Sequence, residues 1–447
     1  MKFHLETLGC QMNLSDGERV TAVFEEMGYQ WTDKEEDAQV IGILACSVRQ
    51  KAIDKVYSRI HKWNKWKNNK NLITFISGCI LPLDKEKFLD LFDIVFQMSE
   101  LPKLPEIIAQ YGIVTPASLN TNFAFKVNNN LSSFWHIEPN YKSSYEAFVP
   151  IQNGCDKFCT FCAVPYTRGR EVSRPSAEIL DEIQNLIDND YKSITILGQN
   201  VNSYGLDKKG EELSFAQLLE KIGQIGDASG KKLWIYFTSP HPRDMQPDVF
   251  HVMAKYKCLA KQVHLPVQSG DDKVLIKMNR KHSVEEYRRL VDEIRNIIPE
   301  ATLFTDIIVG FTGETDEQFE NTRKILKEFQ YNMAYIAMYS PRPGAVSSRW
   351  QDDIPLDTKK QRLHQLSEDL KTVSETYNNT LEGKTIDVLI TGKHRKEGYM
   401  TGLTEGKINV QIKEDDPGLI GSIVTIKVIS SRAFSIEGEL VNALIAG

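Results

Sequence analysis

Six of the seven cysteines in this 447-residue chain fall into two groups of three. The first group lies in one short stretch, NGCDKFCTFCAVPYTRGR, where Cys155, Cys159 and Cys162 are separated by three and then two residues. Three thiolates from one loop can bind three irons of a 4Fe-4S cluster, because such clusters need soft sulfur ligands. The fourth iron would then stay open to bind a substrate or a cofactor.

Zinc is the main competing interpretation of this loop. Structural zinc sites usually have four ligands in paired spacing, and the sequence places His136 and His241 too loosely for either to be named as a fourth ligand. Unrelated core cysteines are a third interpretation. The cysteine spacing, together with the aromatic Phe161 before the last cysteine, favours the cluster over both alternatives.

The second group of cysteines is spread over the first 80 residues. The apolar, strand-like stretches KFHLETLGC, AQVIGILAC and NLITFISGC end in Cys10, Cys46 and Cys79, and an amphipathic segment follows each. This alternation predicts parallel βαβ units, in which the carboxyl ends of the strands share one edge where ligands bind. We therefore expect the three cysteines to be neighbours in space. Cys258 lies outside both groups and is expected to be an incidental thiol.

Composition limits the class of protein. Hydrophobic residues make up 41% and charged residues 26%, as in a soluble globular protein, and no apolar run approaches the ~18 residues of a membrane span. The stretch MKFHLETLGC lacks the basic and apolar regions of a secretion signal, so we expect a cytoplasmic protein with reduced thiols and no membrane partner. An odd number of cysteines in a long chain argues against a disulfide framework.

The formal net charge of the chain is -6 at pH 7, so the overall charge does not indicate a nucleic-acid partner. Locally, the segment from Arg49 to Lys70 contains eight Lys or Arg and one acid, Asp54, and it also carries Trp63 and Trp66. Contacts to bases or phosphates are one interpretation of this segment. A solvated helix face is the other.

The pattern of elements predicts an α/β protein of three blocks. Residues 1–145 form an open parallel-sheet block with a linker rich in Asn and Ser, and residues 146–380 form a partial (β/α)6 barrel. Residues 381–447 alternate apolar and polar positions between Gly-rich turns, which predicts a small antiparallel β-barrel.

Six strand candidates define the central block. Its helix starts agree with this prediction, because Ser283 with Glu286 and Thr315 with Gln318 have the spacing of a capping box. Polar or Gly-containing segments follow several of the strands, at the end where barrel enzymes carry their chemistry. The six candidates are AFVPIQ, SITILGQN, LWIYFTSP, QVHLPVQSG, TLFTDIIVGF and MAYIAMYS.

Residues 155–162 match the CxxxCxxC pattern of radical S-adenosylmethionine enzymes. In chain order, TLGCQMN, ACSVRQKA, SGC, GCDKFCTFCAVPYTRGREVSRP, LGQNVNSYG, HLPVQSGDDKVLIKMNRKHS, TDIIVGFTGET and YSPRPG resemble the methylthiotransferase family. The resemblance covers essentially the whole chain, including a carboxyl-terminal segment similar to a TRAM domain. Within the family, GCQMN, VPYTRGREVSRP and SPRPG are most similar to the members that modify N6-isopentenyladenosine at position 37 of tRNA.

The resemblance implies two 4Fe-4S clusters and S-adenosylmethionine as cofactors. It assigns the six cysteines as catalytic and metal-binding residues: Cys155, Cys159 and Cys162 for the cluster that binds S-adenosylmethionine, and Cys10, Cys46 and Cys79 for an auxiliary cluster. The implied reaction starts with a 5'-deoxyadenosyl radical that removes hydrogen from C2 of the adenine. Sulfur is then inserted, and a second S-adenosylmethionine supplies the methyl group.

The resemblance also implies contacts to S-adenosylmethionine. The backbone around Phe161 would meet the adenine, and Gln199 would lie near the methionine portion. Ser239, Gln268 and Val309 would face the cofactor from later strand ends. A purely structural role for each of these five residues is the alternative.

For tRNA, the target adenosine must leave the stack of the anticodon loop, so Lys and Arg that bind phosphate should surround the opening of the site. Arg168, Arg170 and Arg174 follow the cysteine loop and are the candidates. Salt bridging within the barrel is their alternative role. The final barrel would bind the anticodon stem through contacts to the RNA backbone, and structural support is its alternative role.

The expected partners are tRNA carrying N6-isopentenyladenosine, an electron donor and a sulfur donor, and we expect a monomer. Relatives that modify threonylcarbamoyladenosine in tRNA, or an aspartate of a ribosomal protein, give alternative substrates. A non-catalytic RNA-binding protein with an iron-sulfur or zinc site is the alternative of a different class.

Overall fold

The computed structural model describes residues 1–47, 50–110 and 134–441, and its elements form three units in chain order. The amino-terminal unit is a five-stranded parallel sheet in the order β2-β1-β3-β4-β5. The strands are β1 Lys2–Thr7, β2 Gln30–Trp31, β3 Val40–Cys46, β4 Ile73–Cys79 and β5 Ile94–Val95. The helices are α1 Gln11–Glu26, α2 Gln50–Trp66, α3 Pro82–Leu89 and α4 Leu104–Ala109.

Both faces of this sheet are covered, which explains why β3 reads as the continuous apolar run VIGILAC with every residue buried. Val40 and Leu44 belong to the core on the α1 side, whereas Ile41 and Ile43 belong to the core on the α2 side. Such a strand cannot be recognised by alternation, but its length and the turns around it identify it. The predicted parallel βαβ arrangement is confirmed.

The basic segment forms α2, although Arg49 lies outside the described residues. Trp63 is fully buried and donates its indole N–H to Glu35 over 2.9 Å. Lys62 and Arg59 form ion pairs with the same carboxylate, at 2.9 and 3.2 Å. These three side chains therefore serve the packing of the helix, which favours the structural interpretation of the basic segment.

The central unit contains the six predicted strands as two three-stranded parallel sheets, ordered β10-β9-β6 and β11-β12-β13. An isolated bridge between Ile235 and Leu259 links the two sheets, while β6 and β13 stand at the outer edges. The result is an open, partial barrel, as predicted. Its strands are β6 Glu146–Pro150, β9 Ser193–Leu197, β10 Trp234–Phe237, β11 Gln262–His264, β12 Thr302–Val309 and β13 Met333–Met338, and the hairpin strands β7 Gln152–Asn153 and β8 Val172–Ser173 are separate.

Helices cover the outside of the partial barrel and bury one large core. Both predicted capping boxes are present, at Ser283 and Thr315, and Ser214 starts a further helix in the same way. The helices are α5 Val164–Arg168, α6 Ser176–Asp188, α7 Phe215–Ala228, α8 Pro247–Lys255, α9 Asp272–Lys277, α10 Val284–Ile297, α11 Asp316–Phe329 and α12 Leu356–Asn379. No helix in the described ranges is long and apolar enough to cross a membrane.

The carboxyl-terminal unit is a closed five-stranded barrel in the order β14-β15-β16-β18-β17. Four of its strand pairings are antiparallel and one, between β16 and β18, is parallel. The residues MTGLT of the strand β15 carry only a weak apolar pattern. The strands are β14 Thr385–Lys393, β15 Met400–Thr404, β16 Asn409–Ile412, β17 Ile423–Arg432 and β18 Ser435–Leu440.

The small barrel packs against the amino ends of the central strands. Glu405 accepts a hydrogen bond from the backbone N–H of Lys261, and the carbonyl of Gly406 accepts one from the hydroxyl of Thr302, both at 2.9 Å. Lys261 and Thr302 stand at the starts of β11 and β12. The carboxyl ends of the central strands therefore lie at the opposite end of the partial barrel.

Candidate functional site

The cysteine loop crosses the carboxyl ends of the central strands, and its three cysteines interact with one another. Burial raises the pKa of Cys155 to about 11 and that of Cys162 to about 12, and the thiol of Cys159 adds to both shifts. None of the three forms a disulfide. Buried thiols of this kind become thiolates when a bound metal supplies the compensating charge.

Backbone geometry fixes the start of the loop. Gly154 has φ +83, and a Cβ there would lie 2.0 Å from the carbonyl oxygen of Arg170, so only glycine fits. The side-chain oxygen of Gln199, at the end of β9, accepts a hydrogen bond from the backbone N–H of Gly154 over 2.6 Å. Gln199 therefore holds the cysteine loop in place.

His241 and Arg280 surround the sulfur of Cys159. Nε2 of His241 lies 3.9 Å from this sulfur, and Nη1 of Arg280 lies 3.5 Å from it. Burial, with the nearby Arg280 cation, holds the pKa of His241 far below its ordinary value, so the imidazole is neutral. Because Nδ1 of His241 accepts a hydrogen bond from the backbone N–H of Arg243, the proton sits on Nε2 and points at the sulfur.

The second group of cysteines meets at the carboxyl edge of the amino-terminal sheet, as predicted. Cys46 and Cys79 are paired across β3 and β4, and Cys10 stands at the start of α1. Burial raises the pKa of Cys79 to about 12, and Cys10 and Cys46 add to the shift. Asn13 ties this edge together by donating to the carbonyls of Leu8 and Ala45, at 2.6 and 2.9 Å.

The two groups therefore fit iron-sulfur clusters on the chemistry of their donors. Each brings three thiols together without a disulfide, and in each group a buried guanidinium lies against one of the sulfurs. Within the described ranges, no group of three or more His, Cys, Asp or Glu side chains has the geometry of a site for a single metal ion.

The three arginines predicted to bind RNA have different surroundings. Arg168 is buried and forms an ion pair with Asp16, and Arg174 is buried and forms ion pairs with Glu178 and Glu182. Both guanidinium groups are thus engaged in ion pairs inside the protein. Arg170 is exposed, and it pairs at the surface with Asp156.

The residues predicted to contact the cofactor lie around the same loop. Phe161 packs against the apolar cluster around Phe311, and the backbone is left-handed at Ser239 and Gln268, with φ values of 63 and 73. Such backbone is uncommon outside glycine and concentrates at functional sites. Val309 packs instead into the core between strands and helices.

Sequence reasoning missed a group of polar side chains on the inner face of the partial barrel. Ile308 and Asp306 point to the same face of β12, because side chains alternate along a strand, and Ile308 packs against the same apolar cluster as Phe161 of the cysteine loop. Nε2 of His264 lies 3.2 Å from the carboxylate of Asp306 and beside the half-exposed ring of Tyr335. The sequence signal that could have identified this group is the presence of polar residues inside the apolar strands QVHLPV and TDIIVG.

Comparison with known proteins agrees with the division of the chain into three units. Residues 149–326 match the Radical SAM superfamily, residues 379–441 match the TRAM domain, and residues 2–98 match the uncharacterized protein family UPF0004. Among solved structures, the radical S-adenosylmethionine methyltransferase TsrM from Kitasatospora setae has a similar fold. Its form with cobalamin and a [4Fe-4S] cluster gives a TM-score of 0.55 at 13% identity, covering 77% of this chain and 73% of that one.

The fold and the cysteine loop define a radical S-adenosylmethionine protein with a carboxyl-terminal TRAM domain. Two curated relatives are each named tRNA-2-methylthio-N(6)-dimethylallyladenosine synthase. The one from Clostridium botulinum (strain Okra) is 38% identical over 98% of this chain and 96% of its own length. The one from Bacillus subtilis (strain 168) is 36% identical over 99% of this chain and 86% of its own length. The chain belongs to this family of radical S-adenosylmethionine methylthiotransferases, which confirms the resemblance found in its motifs.

Proposed function

We propose that this protein is a tRNA methylthiotransferase that converts N6-isopentenyladenosine at position 37 of tRNA to its 2-methylthio derivative. Radical C–H activation, sulfur insertion and methyl transfer make up the reaction. The observation that carries the proposal is the presence of two cysteine triads in one chain. Arg168 links them, because it follows the cysteine loop and donates a hydrogen bond to the sulfur of Cys79. Relatives that this chain matches over 96% and 86% of their own lengths bear the name of this activity.

Each triad holds one 4Fe-4S cluster in this proposal, and S-adenosylmethionine binds at the cysteine loop of the central unit. Together these groups supply a radical that can remove hydrogen from an unactivated aromatic carbon, and they supply the sulfur and methyl group that replace it. Acid-base catalysis is poorly suited to this step, because the C2 hydrogen of adenine is not acidic.

The protein's own side chains position the reactants. Gln199 holds the cysteine loop, and His241 and Arg280 direct N–H groups at Cys159. The contacts of Phe161, Ser239, Gln268 and Val309 with the cofactor remain proposals, with a backbone contact alone for Val309. We assign recognition of the adenine to the inner face of the partial barrel, where His264 and Asp306 offer a paired donor and acceptor.

For RNA binding, the surroundings of the three arginines support Arg170 alone as a phosphate contact, because it is the exposed one. The TRAM-like barrel would bind the backbone of the anticodon stem. We place the domain boundaries at residues 1–145, 146–380 and 381–447. We further propose a cytoplasmic monomer that draws on a separate electron donor and sulfur donor.

The test is mass spectrometry of nucleosides after anaerobic incubation of reconstituted protein with S-adenosylmethionine, a reductant and tRNA. The tRNA carries either N6-isopentenyladenosine or threonylcarbamoyladenosine. A 2-methylthio product from the isopentenyl substrate alone is expected. Product from the other tRNA alone would reassign the substrate, and cofactor cleavage with no tRNA product would point to a protein target such as a ribosomal aspartate. Zinc without iron, and no 5'-deoxyadenosine, would leave the non-catalytic RNA-binding alternative.

A further inference from the structure

Arg168 joins the two cysteine triads. It ends α5, which starts at Val164 directly after the cysteine loop, and the backbone N–H of Val164 donates to the sulfur of Cys162 over 3.5 Å. The guanidinium of Arg168 reaches the other triad and donates from Nε to the sulfur of Cys79 over 2.9 Å. One short helix thus contacts a ligand of each triad, Cys162 through its first backbone N–H and Cys79 through its last side chain.

The remaining donors of Arg168 are also directed. Nη2 donates to the side-chain oxygen of Asn13 at 3.0 Å and pairs with Asp16 at 2.5 Å, and Nη1 donates to Asn153 at 3.2 Å. Asn13 and Asp16 lie on α1, which starts directly after Cys10. The guanidinium is therefore held in one orientation by groups from both the amino-terminal and the central units.

A buried ion pair with Asp16 would satisfy the charge of Arg168 without any sulfur contact. The structure instead directs Nε at Cys79, although Asp16 offers a second carboxylate oxygen that is buried without a partner among the described residues. The Cys79 contact is thus a charge-assisted hydrogen bond to a sulfur, which strengthens when the sulfur becomes a thiolate. This arrangement serves the thiolate form of Cys79.

We propose that Arg168 is a positioning residue for the auxiliary site, which fixes the sulfur of Cys79 and raises the reduction potential of the cluster held there. Hydrogen bonds to ligand sulfurs, and positive charge beside them, stabilise the reduced form of an iron-sulfur cluster. The inference rests on the proposed function, since it requires a cluster on Cys10, Cys46 and Cys79. It adds that the helix following the cysteine loop of one site sets the reduction potential of the cluster at the other.

The experiment uses the full-length chain with Cys155, Cys159 and Cys162 replaced by Ala, so that only the auxiliary cluster is present. Arg168→Gln and Arg168→Lys are compared with this parent after anaerobic reconstitution. Iron content and a redox titration followed by electron paramagnetic resonance are the readouts. We expect Arg168→Gln to shift the midpoint to a more negative potential and Arg168→Lys to return part of the shift. The matched control is Arg170→Gln, which removes an exposed guanidinium two residues away and should leave the midpoint unchanged.

A folding defect is controlled by a second variant. Arg168→Gln leaves Asp16 buried without its cation, and the double variant Arg168→Gln with Asp16→Asn removes that cost. It should keep a negative shift from the lost hydrogen bond to Cys79, smaller than that of Arg168→Gln because the negative charge of Asp16 is removed as well. An unchanged midpoint and spectrum in both Gln variants would overturn the inference. Equal loss of iron in the Gln and Lys variants would also overturn it, because charge would then be irrelevant. A parent without iron would instead overturn the proposed function, and with it the inference.

Discussion

Cys79 and Cys258 are both buried, and burial raises the pKa of each thiol to about 12. Their neighbours differ. Cys79 lies near Cys10 and Cys46, whereas the sulfur of Cys258 lies 3.5 Å from the carbonyl oxygen of Gly223. Proximity to other thiols, more than burial, therefore distinguishes a metal ligand from an incidental cysteine in this chain.

Replacing Cys79 by Ala should reduce the iron content of reconstituted protein by about half, because one of two clusters loses a ligand. Cys258→Ala is the matched control and should leave the iron content unchanged. Elemental analysis of iron and sulfide per chain is the measurement. Equal iron loss in both variants would contradict the assignment of Cys79 to a cluster.

Glu18 is a buried carboxyl between the amino-terminal and central units. It accepts a hydrogen bond from the backbone N–H of Lys142, and Oε2 has no partner among the described residues. Burial raises its pKa from about 4.5 to about 7, so the folded state retains a proton that the unfolded chain releases. The resulting stabilisation is fully present below pH 4.5 and is lost as the pH rises through 7.

Glu18→Gln should therefore flatten the dependence of stability on pH. Between pH 5 and pH 8 we expect the free energy of unfolding of the unmodified protein to fall by up to about 3 kcal/mol more than that of the variant. Urea unfolding at several pH values measures this difference. Parallel pH profiles for the two proteins would disprove the assignment of a raised pKa to Glu18.

At the scale of single elements, the amino-terminal sheet depends on a close contact between neighbouring strands. A Cβ at Gly42 of β3 would lie 1.9 Å from the ring of Phe75 on β4. The ring of Phe75 is fully buried and stacks on Phe24 of α1, so it cannot move aside. The strand carrying Cys46 is thus held by an aromatic side chain that needs a glycine beside it.

Gly42→Ala is expected to lower the free energy of unfolding by about 1–3 kcal/mol, the usual cost of overpacking a core. Gly392→Ala in β14 is the matched control. A Cβ there would lie 3.9 Å from its nearest neighbouring atom, which is an ordinary van der Waals distance, so the free energy of unfolding should change by no more than about 0.5 kcal/mol. Chemical denaturation of both variants tests this. Similar stability of the two variants would contradict the packing argument.

At the scale of the whole molecule, the TRAM-like barrel and the cysteine triads occupy opposite ends of the central unit. The eight-residue strand β12 spans about 26 Å between those ends. An RNA that presents one base to the triads and also contacts the small barrel must extend along this height. The turn after β14 offers a basic surface for its backbone, with Lys393, Arg395 and Lys396 exposed.

Replacing Lys393, Arg395 and Lys396 together by Gln should weaken tRNA binding by roughly ten-fold at low salt and reduce its salt dependence, because phosphate contacts release counterions. Cleavage of S-adenosylmethionine without tRNA should not change. Binding measured at several salt concentrations provides the test, with Lys360→Gln and Lys371→Gln on α12 as a control pair of exposed lysines. Unchanged affinity in the triple variant would remove this surface from the RNA path.

The sequence by itself determined the local features. The spacing of Cys155, Cys159 and Cys162, the alternation of strands and helices, and the capping boxes at Ser283 and Thr315 depend on neighbouring residues alone, and the structure contains each of them. The meeting of Cys10, Cys46 and Cys79 could also be predicted, because parallel strands place their carboxyl ends at one edge by geometry.

Only the tertiary structure decided the roles of the arginines. In the stretch TRGR, Arg168 and Arg170 are chemically alike, yet one is buried against Cys79 and the other lies at the surface. The difference comes from Asp16 and Asn13, which are more than 150 residues away in the chain. Docking of the small barrel at the amino ends of the strands is likewise set by contacts between distant segments. Long-range packing decides these features, and no local pattern records it.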